Sequence, residues 1–393
     1  MSRRIRTVCV ATGSRAEYGQ LADLMRVIGA DAELDLQVLV TGSHLSERFG
    51  MTVDAILADG FAIDARVPMP LEGDDPTDIA RSMAAGLIGM TEALERLRPD
   101  LLVVLGDRYE MLAAGQAALL TRTPMAHIHG GEASEGAMDE SIRHALSKMS
   151  HLHFTAAEPY RRRVIQMGEP PHRVFTVGAM ALDALEALPR LTRAEVTQRL
   201  GIPVTTPYFL VTYHPATLDQ GDPAEAIAAL AAALDRHPDH KVIITGVNAD
   251  PGHDAVSSAI EAWRSRQPDR VRTFASLGQV LYFSAMRHCI AVVGNSSSGI
   301  VEAPAVGVPT VNLGIRQQGR IRSPSVIDCA ETESAVGKAL ALALDVNFRS
   351  EASRAPYPFG RPGAARRIVE VLKATEVEGL LTKKFHDLPG MNS

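Results

Sequence analysis

Five short stretches carry residue types able to move protons or hold anions. Gly106-Asp107-Arg108-Tyr109-Glu110 sets a carboxylate beside a guanidinium. His127-Ile128-His129-Gly130-Gly131-Glu132 offers two imidazoles and an acid around a glycine pair. Asp139-Glu140-Ser141-Ile142-Arg143-His144 reads as a helix start, with Asp139 and Arg143 four apart on one face. Tyr213-His214-Pro215 ends an apolar run, and Asn248 follows the run KVIITG. Gly294-Asn295-Ser296-Ser297-Ser298-Gly299 brings hydroxyls and backbone N–H groups to the start of a helical pattern that contains Glu302. Arg316, Arg320 and Arg322 come shortly after, and Arg15 stands in ATGSRAEYG near the start. Carboxylates and imidazoles are the usual proton carriers. Arginines and helix N-termini are the usual phosphate holders.

Each stretch also has a plainer reading. Arg15 marks either an anion contact or an ordinary strand-to-helix turn. Asp107-Arg108 and Asp139-Arg143 read as functional groups or as surface ion pairs, which are worth little. His-x-His is a metal fragment without a third ligand at standard spacing, so acid–base use of His129 or Glu132 fits better and no metal is expected. The serine run is an anion cradle or an N-cap with spare serines. The two glycines of HIHGGE let the backbone approach a ligand, and strand alternation puts His127 and His129 on one face.

Apart from the helix start at Asp139, these stretches follow strand-like runs. IRTVCVA (5–11), DLQVLVT (35–41), LLVVL (101–105), PMAHIH (124–129), HLHFTA (151–156) and RVFTVG (173–178) form one series, with helices such as 18–29 between them. YFLVTYH (208–214), KVIITG (241–246), CIAVVGN (289–295) and VPTVNLG (308–314) form a second, with helical patterns at 222–236, 253–265, 277–288 and 297–306. Alternating strands and helices predict parallel sheets covered on both faces. The expected class is therefore α/β, with two Rossmann-like doubly wound domains facing across a cleft. The boundaries read as 1–186, a Pro- and Thr-containing junction at 187–207, a second domain at 208–375 ending in the amphipathic helix 363–375, and a polar surface tail at 376–393. In such sheets ligands bind beyond the C-terminal strand ends, where the chemistry-bearing residues fall.

Composition narrows the partners. The 393 residues carry 40 Lys plus Arg against 46 Asp plus Glu, a net charge of −6. That balance argues against a protein built to grip nucleic acid or an anionic membrane. No apolar run approaches the ~18 residues of a membrane span, and the N-terminus lacks the apolar core of a signal peptide, so a cytoplasmic protein is expected. Cys9, Cys289 and Cys329 are scattered without a CxxC, and read as core thiols. The glycines do not form GxGxxG, and neither a Walker loop nor a G-x-S-x-G elbow occurs.

Taken in order, GSRAEYG, GDRYE, HIHGGE, DESIRHALSKMSHLHF, YHPAT, NADPG, GNSSSG and RQQGR resemble the hydrolysing UDP-N-acetylglucosamine 2-epimerases of sialic and legionaminic acid synthesis, over about residues 7–330. KKFHDL near the end also fits. The resemblance implies a glycosyltransferase-B type fold, a UDP-sugar substrate held mainly by the C-terminal domain, no cofactor, and a homodimer or homotetramer. It implies elimination of UDP with loss of the C2 proton, giving 2-acetamidoglucal, then hydration with inversion at C2 to N-acetylmannosamine. By motif, Arg15, Arg108, His214, Asn248, Ser296, Ser297, Glu302 and Arg316 fall on nucleotide-contacting positions. Asp107, Asp139 and Arg143 fall on catalytic ones, with His129, Glu132 and His214 as further candidates. Several relatives carry glutamate at the position of His129, so proton transfer falls here to the imidazole, to Glu132 or to Asp107. The segment from His129 to Arg143 is one residue longer than in that branch, and some relatives with this layout act on UDP-2,4-diacetamido sugars. A glycosyltransferase would need an acceptor motif, which is not evident. A non-hydrolysing epimerase would carry a motif nearer HVEAGLR. A silent nucleotide-sugar sensor would have lost Asp107 and Asp139.

Overall fold

The computed structural model describes residues 5–70, 73, 75–216, 218, 221–247 and 252–388. Asn248 lies outside them. The chain forms two units, one of Met1–Glu132, Asp139–Ala184 and Phe359–Ser393, the other of Ala133–Met138 and Leu185–Pro358.

The first unit holds β1 (Arg6–Thr12), β2 (Leu34–Thr41), β3 (Ala65–Val67), β4 (Leu101–Leu105), β5 (Met125–Ile128), β6 (Leu152–Thr155) and β7 (Val174–Thr176). Their order is β3-β2-β1-β4-β5-β6-β7, all parallel. The second unit holds β8 (Tyr208–Thr212), β9 (Lys241–Thr245), β10 (Val271–Phe274), β11 (Ala291–Gly294), β12 (Thr310–Leu313) and β13 (Val326–Cys329), ordered β10-β9-β8-β11-β12-β13 and again parallel. Both are doubly wound sheets whose order reverses beside the first strand. Ligands of such sheets sit at that reversal. It lies between β1 and β4 in one unit and between β8 and β11 in the other.

Central strands are apolar throughout because helices cover both faces. β4 and β8 are buried along their whole length. Helix Arg15–Gly29 starts on a capping box, with Ser14 and Glu17 each satisfying the other's backbone N–H. It packs Leu21, Leu24, Met25 and Ile28 into the first core.

Two expected boundaries move. The amphipathic helix at the end is present as Ala364–Ala374, but Ala364, Ala365, Ile368 and Leu372 complete the core of the first unit, not the second. Asp183 ties it there by accepting N–H bonds from Gly363, Ala364 (3.1 Å) and Ala365 (2.7 Å). The second unit therefore ends at Pro358. The junction is also more ordered than its prolines suggest. Helix Arg193–Leu200 has a Thr192–Glu195 capping box and a left-handed Gly201 at its end. Val196, Leu200 and Ile202 pack with Tyr208 and Leu210, so this stretch belongs to the second core. Among the described residues no helix is long and apolar enough to cross a membrane. Burial pushes the Cys9, Cys289 and Cys329 thiols up to about 12, so they stay protonated.

Candidate functional site

In the first unit the residues after β4 and β5 form two backed pairs. Asp107 follows β4 and pairs with Arg143, whose other terminal nitrogen lies 3.0 Å from Glu140 Oε2. The Arg143 side chain is 1% exposed and that of Asp107 21%, so the carboxylate is the reachable member. Arg143 sits on helix Asp139–Met149, which Asp139 opens. His129 follows β5, with Nδ1 2.7 Å from Glu132 Oε1. Here the imidazole is reachable at 12% exposure and the carboxylate is buried at 3%. The Met180 N–H donates to His129 Nε2 at 3.4 Å.

His129 departs from the expected strand alternation. β5 ends at Ile128, and His129 takes a φ of +66°, which few non-glycine residues adopt. Its N–H still donates to the Phe154 carbonyl (2.8 Å). His127 is wholly buried and structural: Nε2 donates to the Gly106 carbonyl (2.7 Å), and Nδ1 lies 3.1 Å from Ser147 Oγ. Burial above all drives its pKa down to about 3, so it is neutral. It thereby fastens the loop bearing Asp107 to β5. The glycines of this motif also let the chain pack closely against its own neighbours. A Cβ on Gly131, whose φ is +76°, would lie 2.3 Å from the Tyr160 carbonyl, and one on Gly130 would lie 2.9 Å from Ser147 Oγ.

At the sheet reversal of this unit, Glu17 Oε2 accepts from the N–H groups of Gly13 (2.7 Å) and Ser14 (3.1 Å). Arg108 donates to Glu110 at 3.2–3.4 Å. Burial first, then the neighbouring Glu110 charge, raises the Glu17 pKa. Arg15 stands exposed at the first position of its helix.

In the second unit the reversal is locked by Asn295. Its carboxamide accepts from the His214 N–H and donates to the His214 carbonyl, both at 2.7 Å. The Asn295 carbonyl accepts in turn from Gln317 Nε2 (2.9 Å) and Arg316 Nη1 (3.3 Å). His214, Asn295, Ser296 and Arg316 are thus brought together. The expected helix at 297–306 is a 3₁₀ turn, Ser297–Gly299, followed by the single turn Glu302–Ala305. A helix that short has little dipole, so hydroxyls and the arginine are what this edge offers an anion. Ser296 and Ser297 are half-buried and Glu302 is buried. Arg322 pairs with Asp328 at 3.1 Å and Arg320 donates to the Ala133 carbonyl at 3.2 Å. Among the described residues no group of three His, Cys, Asp or Glu is arranged to hold a metal ion.

Sequence reasoning singled out both members of the Asp107–Arg143 and His129–Glu132 pairs. It missed Glu17, Glu110 and Asn295 as structural partners, although GDRYE and GNSSSG contain two of them.

Two parallel doubly wound units, with acids, an imidazole and arginines at their C-terminal strand edges, define an α/β fold of the glycosyltransferase-B type. The family model for UDP-N-acetylglucosamine 2-epimerase matches residues 26–373, and the chain belongs to that family. It is 37% identical over 323 residues to GDP/UDP-N,N'-diacetylbacillosamine 2-epimerase (hydrolyzing) of Campylobacter jejuni, covering 82% of this chain and 84% of that protein. It is 36% identical over 346 residues to UDP-N,N'-diacetylbacillosamine 2-epimerase (hydrolyzing) of Legionella pneumophila, covering 87% and 89%. The crystal structure of UDP-GlcNAc 2-epimerase from Neisseria meningitidis bound to UDP-GlcNAc superposes with a TM-score of 0.81 at 19% identity, covering 94% of this chain and all of that one.

Proposed function

We propose that this chain is a hydrolysing 2-epimerase whose substrate is UDP-N,N'-diacetylbacillosamine, a UDP-2,4-diacetamido sugar. The observation that carries the reaction is the pair of reachable groups, Asp107 and His129, each backed by a buried partner of opposite charge type. Inversion at C2 needs a proton removed from one face and another delivered to the opposite face, and so two carriers. The sugar rests on the Campylobacter and Legionella relatives. They move the diacetamido substrate ahead of UDP-N-acetylglucosamine, which remains the second reading because the family model bears its name.

The chemistry balances without a cofactor. Asp107, its charge compensated by Arg143, takes the C2 proton. The C1–O electrons leave with UDP, and a C1–C2 double bond forms. Water then adds its oxygen to C1 and passes its spare proton to His129, as His129 delivers a proton to the other face of C2; the proton taken by Asp107 leaves to solvent. The sum is UDP-sugar plus water giving the free 2-epimeric sugar and UDP. Glu132 sets a buried carboxylate beside the imidazole, 2.7 Å from Nδ1. Asp139 and Arg108 are further contacts of the sugar and its leaving group. Arg15, His214, Asn248, Ser296, Ser297, Glu302 and Arg316 are the nucleotide contacts. Arginine and hydroxyl donors suit the charge that develops on a leaving diphosphate.

The test is incubation with each UDP-sugar in heavy water, followed by proton NMR. Free UDP and a C2-deuterated 2-epimer are expected, faster from the diacetamido substrate. A UDP-linked epimer formed reversibly, or no UDP release from either sugar, would overturn the reading.

A further inference from the structure

The polar stretch after helix Ala364–Ala374 does more than lie on the surface. The Lys383 ammonium donates to the Lys148 carbonyl (2.6 Å), the Ser150 carbonyl (2.7 Å) and the Glu169 carboxylate (2.9 and 3.0 Å). An ammonium has three protons, and these partners use all of them. The first two are carbonyls at the C-terminal end of helix Asp139–Met149, a place where a helix cannot satisfy its own acceptors. No glycine follows Met149 to form a left-handed cap, since Ser150 and His151 lead straight into β6. The cap comes instead from a side chain 235 residues downstream of Lys148.

The anchor beneath this cap is strong. Glu169 is wholly buried and also accepts from Lys148 Nζ (2.6 Å) and His153 Nε2 (3.1 Å). Burial opposes its charge, but the hydrogen bonds from His153, Lys148 and Lys383 together outweigh burial and hold its carboxyl down at about 2. The tail is fastened again two residues on. The Phe385 ring covers Gly168, where a Cβ would lie 2.3 Å from the ring, and stands 4.8 Å from Lys148 Nζ. The His386 N–H donates to the Gly168 carbonyl (2.9 Å).

The same helix carries Arg143 nearer its other end, paired with Asp107. Its 11 residues make a rod roughly 16 Å long. We propose that Lys383 is a positioning residue. By capping helix Asp139–Met149 it holds Arg143 in register with Asp107, so the C-terminal tail sets the geometry of the proton-transfer groups. This rests on the reading of Asp107 as a proton carrier given above.

Wild-type UDP release is measured first, so that failure of the reaction assignment is seen by itself. Lys383→Met then lowers kcat about ten-fold with KM within two-fold, and Lys383→Arg regains at least a third of the loss. Phe385→Ala, which loosens the tail without leaving a buried charge short of a partner, lowers kcat two- to three-fold. Unchanged kcat in a folded Lys383→Met protein overturns the proposal, as does equal damage in the Arg variant. Should Lys383→Met fail to fold, Phe385→Ala decides by the same criterion. Should the wild type release no UDP, hydrogen exchange decides. Faster exchange at both 139–149 and 106–108 in Lys383→Met upholds the coupling, and unchanged exchange at 106–108 overturns it.

Discussion

At the residue scale, each proton carrier is held from behind, and the two backings differ. Arg143 behind Asp107 offsets its negative charge and holds the carboxylate in place. Asp107→Asn keeps a carbonyl for Arg143 to donate to, so the fold should lose only about 1–2 kcal/mol. Turnover should fall ~100-fold or more, as on loss of a general base, with UDP affinity within two-fold by calorimetry. Near-normal turnover would remove Asp107 from the chemistry. For His129 the backbone chooses the test. Its φ of +66° suits asparagine better than glutamine or glutamate. His129→Asn should therefore keep the fold and lower formation of the free 2-epimer ~100-fold, with the remaining activity insensitive to Glu132→Gln. Additive losses from the two substitutions would mean that they do not act as one pair.

At the element scale, strand ends are useful only where something stops them from fraying, and in the second unit that something is Asn295. It is wholly buried, and its carboxamide satisfies both backbone groups of His214. Gly294 before it has a φ of +131°, and a Cβ there would lie 2.0 Å from the Thr212 carbonyl, so β11 can approach β8 this closely only with glycine. Asn295→Ala leaves two buried backbone groups unpaired, at about 1–3 kcal/mol each. Urea unfolding should show a loss of at least ~2 kcal/mol, and UDP affinity should drop with it as His214 and Arg316 lose their common support. Intact UDP affinity would detach this edge from the nucleotide. These elements also explain what was legible beforehand. Central strands, buried on both faces, read as apolar runs, and their C-terminal ends pointed directly to Asp107, His129, His214 and Ser296. Edge strands β3, β10 and β13 were not picked out, because ARV, VRTF and VIDC are only partly buried and carry polar residues. Partners such as Asn295 with His214, 81 residues apart, or Lys383 with Glu169, 214 apart, depend on tertiary contact that periodicity cannot express.

At the scale of the whole molecule, the two units should answer acid differently. The first unit buries His44, His127 and His151, and in each case burial is the largest cause of a pKa lowered to about 4, 3 and 4. A histidine depressed in this way binds more protons unfolded than folded. Its contribution is therefore intact above the unfolded value of ~6.5 and is lost as pH falls toward the folded value. Glu169, held at about 2, acts in the same direction below the ordinary carboxylate range. The second unit has lowered histidines at His237 and His240, but both are partly exposed and burial moves them less. Glu17, raised to about 8 mainly by burial, has the opposite sign and offsets part of this loss; with three lowered histidines against it, the first unit should still lose on the order of a few kcal/mol more than the second between pH 6.5 and 4. The chain provides its own reporter, since its single tryptophan, Trp263, is buried in the second core. Far-UV dichroism sees both units, whereas Trp263 fluorescence sees one. On acid titration the dichroism should begin to fall at a higher pH than the fluorescence shifts, a departure from two-state behaviour. His127→Asn, which also removes the titrating ring, should move the first dichroism step and leave the Trp263 step in place. Coincident transitions for both probes would show that the buried histidines do not set the order of unfolding.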